Sequence, residues 1–158
     1  MKKSSTLFFK VILILIAIGV LAGLLWFPQT EGRAANLDHL SIYTDPFIIY
    51  IYIGSIPFFV GLSQAFKLLN LIYANKAFSQ SAVNTLKNMK LASLSLIGFI
   101  ALALFYIRFV VHGDDTAGPT AVGIIICFAV AVIATAVAVF QKFLQNAVDL
   151  KPENDLTV

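Results

Sequence analysis

Two histidines stand beside carboxylates: His39 follows Asp38, and His112 is trailed by Asp114 and Asp115. Imidazole nitrogens and carboxylate oxygens are ligands for a divalent cation, and both clusters lie in segments expected on one side of a membrane, where they could meet. Their spacing specifies no coordination geometry, and two solvated histidines in acidic loops account for the same residues. No metal or cofactor is therefore expected. Other chemistries lack their parts. The chain has no HExxH, no glycine-rich phosphate cradle, and no serine or cysteine with a base nearby in sequence, so it is not expected to be an enzyme. Its single cysteine, Cys127, lies inside an apolar run and reads as a small hydrophobe.

The remaining polar candidates sit within apolar surroundings. Ser55, Ser63, Gln64 and Asn70 make one stretch the most polar of its kind, with Gln64 or Asn70 placed to line a cavity or to hydrogen-bond a neighbouring helix. Pro57 interrupts the same stretch, removes a donor for the Ile53 carbonyl, and predicts a kink that serves as a hinge or as static packing. Arg108 is the deepest charge; it lies close enough to a helix end to snorkel outward or to meet Asp114 or Asp115. No ionisable group lies at the middle of any apolar run, which weakens the case for an ion pathway.

These residues hang on four apolar runs, 11–27, 47–66, 91–111 and 120–140. A hydrocarbon core of about 30 Å needs roughly 20 helical residues, and each run with its flanking turns supplies them. With 59% hydrophobic and 12% charged residues, the bilayer is the expected solvent. The expected fold is all-α: an integral membrane four-helix bundle with spans near 7–27, 46–72, 91–111 and 119–140 and a cytoplasmic tail over 141–158. Short amphipathic cytoplasmic helical extensions are expected over 79–90 and 141–149, where Val83, Leu86 and Met89, then Phe143, Leu144, Ala147 and Val148, recur at helical spacing.

All nine lysines fall on one side of this path and both arginines on the other, in loops that carry five of the eight acids. The positive-inside rule then puts both termini in the cytoplasm, and the basic balance reflects attraction to membrane lipids with no direct nucleic-acid contact. The basic start followed by an apolar run also resembles a signal peptide, but that run exceeds a cleavable core and ends in Trp26 and Phe27, which suit an interfacial anchor. Asp45-Pro46 and Gly118-Pro119 mark the starts of the second and fourth spans. Small residues predict close packing, notably the GxxxG of Gly19 and Gly23, and the pair Gly54 and Gly61; they would close a monomeric bundle or a homo-dimer.

The start Met1-Lys2-Lys3-Ser4-Ser5-Thr6-Leu7-Phe8, the segment Ile56-Pro57-Phe58-Phe59 with Gln64-Ala65-Phe66-Lys67-Leu68-Leu69, and the stretch Asn75-Lys76-Ala77-Phe78-Ser79 with Leu86-Lys87-Asn88 resemble the bacterial family called domain of unknown function 2975, as does the tail Glu153-Asn154-Asp155-Leu156-Thr157-Val158. The resemblance covers nearly the whole chain. It implies a small four-span protein of the bacterial cytoplasmic membrane without an assigned activity. Members are often encoded beside a small helix-turn-helix regulator, which suggests, by association, a cytoplasmic partner. Asn75, Lys76, Phe78 and Ser79, with Glu153, Asn154, Asp155 and Leu156, are polar segments facing that compartment and form the expected docking surface; a helix cap and a solvated tail are the alternative use. An interaction or regulatory protein is the expected function, with a small transporter or lipid-handling protein built around Pro57, Ser63, Gln64 and Asn70 as the alternative.

Overall fold

The computed structural model describes residues 3–30, 41–110 and 116–150. They form α1 (Lys3–Thr30), a short 3-10 turn (Ile42–Thr44), α2 (Pro46–Tyr73), α3 (Gln80–Phe109) and α4 (Ala117–Asp149). All four helices are long and apolar enough to cross a membrane. At about 1.5 Å per residue even the 28-residue α1 and α2 reach about 42 Å, more than the roughly 30 Å of hydrocarbon. Every helix therefore tilts or projects beyond the apolar layer.

Local signals set the helix ends. Asp45 caps α2, its Oδ1 accepting the Phe47 N–H at 2.8 Å, and Pro46 opens the first turn. Ser79 caps α3 in extended backbone, its Oγ accepting the Ala82 N–H at 3.3 Å. The amphipathic stretch ahead of the third apolar run is not a separate element, because α3 is continuous from Gln80. At the start of α4 the helix begins at Ala117, ahead of the expected Gly118-Pro119 boundary. Pro119 falls in the first turn, where a backbone N–H would have no intrahelical acceptor anyway. α2 continues as helix through Pro57.

The helices pack in chain order: α1 against α2, α2 against α3, α3 against α4. α1 and α4 do not close the array as a packed pair. Glycines admit the neighbour at two of the three interfaces. Phe99 lies over Gly54, so that a Cβ there would meet the Phe99 ring at 3.4 Å, and Gly61 faces the Ala92 methyl. The expectation that Gly54 and Gly61 share a packing face holds, and that face meets α3. On α4, Gly123 receives Leu104, whose Cδ2 would stand 2.5 Å from an added Cβ. The GxxxG behaves otherwise: nothing lies within 4 Å of a Cβ built on Gly19 or Gly23. Among the described residues, nothing packs against the GxxxG glycines.

Tyrosine hydroxyls join α1 to its neighbours. Pro28, fully buried in the last turn of α1, has no N–H to give the Leu24 carbonyl. The Tyr52 hydroxyl of α2 donates to that carbonyl at 3.1 Å. Tyr43 donates to the Leu25 carbonyl at 3.2 Å and accepts from Gln29 Nε2 at 2.9 Å. Near the other end, Lys10 Nζ of α1 stands 5.2 Å from the centre of the Phe66 ring. Between α2 and α3, Tyr50 donates to the Phe99 carbonyl at 2.7 Å and its ring tilts against the Phe99 ring.

Ile42 and Ile48 are buried at the end remote from the lysines, and the longest buried stretch lies near the lysine-bearing ends of these helices. Ala82, Val83, Thr85 and Leu86, in the first two turns of α3, are all at most 5% exposed, and Ala92, Ala134 and Val137 extend this core along α3 and α4. Many large side chains elsewhere on the four helices are exposed, as lipid-facing surfaces require.

Candidate functional site

The link between α2 and α3 is a helix stop followed at once by a helix start. Asn75 adopts a left-handed backbone (φ 56°), a conformation that asparagine tolerates better than most residues. Its N–H donates to the Ile72 carbonyl at 3.1 Å, and the Lys76 N–H donates to the Leu71 carbonyl at 2.8 Å. Together these bonds form a complete Schellman motif, which satisfies the carbonyls that end α2. Ser79 Oγ donates to the Lys76 carbonyl at 2.7 Å while capping α3. Asn75 and Ser79 thus hold the backbone, whereas the Lys76 side chain is exposed and Phe78 is 62% exposed.

Phe78 does not stand alone. It borders an apolar groove of about 420 Å³ between α2, α3 and α4, shared with Leu68, Ile72, Met89, Phe140 and Phe143. Phe140 and Phe143 project from α4 slightly more openly than Phe78 does from the link. Alongside, Gln80 Nε2 of α3 approaches Gln145 Oε1 of α4 at 3.5 Å, so the beginning of α3 and the end of α4 form one paired stem. The predicted tail residues Glu153, Asn154, Asp155 and Leu156 lie outside the described residues.

A second cleft, of about 330 Å³, separates α2 from α3 and is lined by Pro57, Gln64, Asn88, Ala92 and Ser95. Gln64 Oε1 is buried there with no hydrogen-bond partner among the described residues. The structure therefore brings Pro57 and Gln64 together but separates them from the other two predicted residues of α2. Ser63 is exposed and spends its hydroxyl on the Val60 carbonyl at 2.7 Å, and Asn70 is exposed as well. Arg108 occupies the last turn of α3, is exposed, and forms no ion pair among the described residues. His39 and Asp38, with His112, Asp114 and Asp115, lie outside the described residues. Among the described residues no group of three metal-ligating side chains assembles.

The third cavity lies at the end remote from the lysines. It encloses about 660 Å³ and is almost wholly apolar, with Phe27, Phe47, Leu104, Tyr106, Pro119 and Gly123 among its walls. Sequence reasoning overlooked Asn88 and Ser95 as partners of Gln64, although they stand two turns apart on α3 with Ala92 between them. It also passed over Tyr50 and Tyr52 and missed their hydroxyl bonds. The signal for Tyr52 was Pro28, which leaves an unpaired carbonyl one turn earlier.

The described residues form apolar grooves and one polar cleft. The chain is 41% identical to the uncharacterized membrane protein YoaS of Bacillus subtilis (strain 168) over 160 aligned positions that cover both chains in full. No solved structure matches. The family described as protein of unknown function DUF2975 matches residues 28–158. This chain, a multi-pass membrane protein with four long apolar helices, belongs to the DUF2975 family.

Proposed function

We propose that this protein is a non-enzymatic interaction or regulatory protein of the bacterial cytoplasmic membrane, with both termini cytoplasmic, and that it docks a cytosolic protein on its lysine-bearing end. The carrying observation is the stem there: the beginning of α3 is the best-buried stretch among the described residues, and beside it Phe78, Phe140 and Phe143 border an apolar groove. A rigid base with exposed aromatic side chains suits partner recognition, because aromatic anchors supply contact area at low entropic cost. The lysine distribution supports the orientation. A helix-turn-helix regulator is the partner class suggested by the family's association.

Purification of the full chain from native membranes in mild detergent tests this, beside a chain lacking 153–158 and a Phe78→Ser, Phe143→Ser variant. A cytosolic DNA-binding protein should accompany the full chain and be lost from both variants. Its retention by both at full yield would sink the docking reading.

A second reading, transport or lipid handling, draws on one specific observation. Among the described residues Gln64 Oε1 is a buried acceptor without a donor, in a cleft with Asn88, Ser95 and Pro57. It requires that Gln64→Leu or Asn70→Leu change a flux or resistance phenotype at unchanged membrane abundance, and full activity in both variants would remove it.

A further inference from the structure

We propose that the outward face of the α3–α4 pair holds a dedicated site for an anionic phospholipid. A groove of about 450 Å³ runs there between the two helices, with Lys90 of α3 and Lys142 of α4 among its walls. The floor is small on the α4 side, where Ala131, Ala134 and Ala138 follow one another at helical spacing, and Leu94 and Val139 flank it.

The order of these residues along the helices gives the groove a direction. On α3 the lining runs from Lys90 through Leu94, and on α4 it runs back from Lys142 through Ala138 to Ala131. Because the helices are antiparallel neighbours, both ammonium groups come to one end and the apolar walls continue away from it, for about 16 Å along α4. A cationic pair at one end of an apolar trough is complementary to a phosphate with an attached acyl chain. It is a poor complement to an apolar protein helix, which would leave two charges unpaired.

Competing occupants within the chain are few. Neither lysine forms an ion pair among the described residues. Asp149, on the same helix as Lys142, accepts Gln145 Nε2 at 2.7 Å. Thr135, the polar residue in the trough, donates to the Ala131 carbonyl of its own helix at 2.8 Å. Leu94 and Val139 are 51% and 63% exposed, so the trough opens sideways toward lipid. Among the described residues, the aromatic groove beside Phe78 and the cavity near Phe27 are lined by no charged side chain, which separates this trough from them. The inference stands independently of the partner-docking reading.

The test uses the full chain, delipidated in a non-ionic detergent and titrated with phosphatidylglycerol or with phosphatidylcholine of the same acyl chains, with bound lipid counted by native mass spectrometry. One phosphatidylglycerol per chain should bind in preference to phosphatidylcholine. At about 1 kcal/mol per lysine, Lys90→Gln or Lys142→Gln should weaken it about fivefold and the pair about thirtyfold. Lys87→Gln, which removes an equal charge from the same helix outside the trough, should leave the affinity unchanged. Ala138→Leu, which fills the trough and spares both lysines, should also lower phosphatidylglycerol binding. Equal retention of the two lipids, or equal losses from Lys87→Gln and Lys90→Gln, would overturn the site. So would displacement of the lipid by inorganic phosphate at comparable concentration, which would reduce the site to a phosphate contact. A change from monomer to dimer that fills the trough in place of lipid would assign it to a second copy instead.

Discussion

Helices α1 and α4 form the two flanks of the array, and each carries glycine in an apolar stretch, yet the glycines have opposite fates. Gly123 of α4 accepts Leu104 so closely that a methyl group would collide with it, whereas Gly19 and Gly23 of α1 face open space. The cause lies in the partner. α4 meets α3 along its length with large side chains set against small ones, while hydroxyl bonds from Tyr43 and Tyr52 and the Lys10–Phe66 contact tie α1 at its two ends. In lipid, where burial of apolar surface gives no drive, a small residue creates an interface only when a neighbour fills the space it leaves. The same GxxxG signature is consequently neutral on one helix and would be decisive on another.

Substitutions can break or sharpen this contrast. Gly123→Ile should have the largest effect, because a branched side chain must displace Leu104; overpacking of about 1–3 kcal/mol is expected, read as a lower unfolding midpoint in detergent. Gly54→Leu should follow, since the Phe99 ring can give way by a few tenths of an ångström before the α2–α3 interface opens; its midpoint should fall by less than that of Gly123→Ile. Tyr52→Phe leaves the Leu24 carbonyl without a donor and should cost about 0.6 kcal/mol, seen as earlier proteolytic release of α1 with the rest of the array intact. Gly19→Leu with Gly23→Leu should change monomer stability by no more than about 0.5 kcal/mol. A loss there equal to that of Gly123→Ile would erase the distinction between the flanks.

What could be read from the residues beforehand follows the same division. Helix existence and ends were legible because their causes are local: apolar length, the Asp45-Pro46 start, the Ser79 cap, and the helical spacing of Val83, Leu86 and Met89 ahead of the third apolar run. Which surfaces meet was not, since Gly19 and Gly123 look alike until Leu104 is placed. Among the candidate site residues, Asn75 and Ser79 were visible as polar punctuation, and their work proved to be the Schellman motif and the cap. Gln64 was visible as an oddity, but Asn88 and Ser95 lie more than twenty residues away and only the pairing of α2 with α3 joins them to it. The tyrosine bonds were hidden for a different reason, because an interfacial ring and a hydroxyl aimed at a carbonyl have the same sequence.

One feature of α3 has mechanical weight. From Gln80 to Phe109 it is a single helix of 30 residues with no proline, flanked on both sides by packed neighbours. At about 1.5 Å per residue this is a strut of roughly 45 Å with no joint. A strut without a joint cannot absorb a push by bending at its middle. A piston shift or a roll imposed at Ser79 would be carried along one unbroken helix toward Val110, so the two ends of α3 are geared to each other.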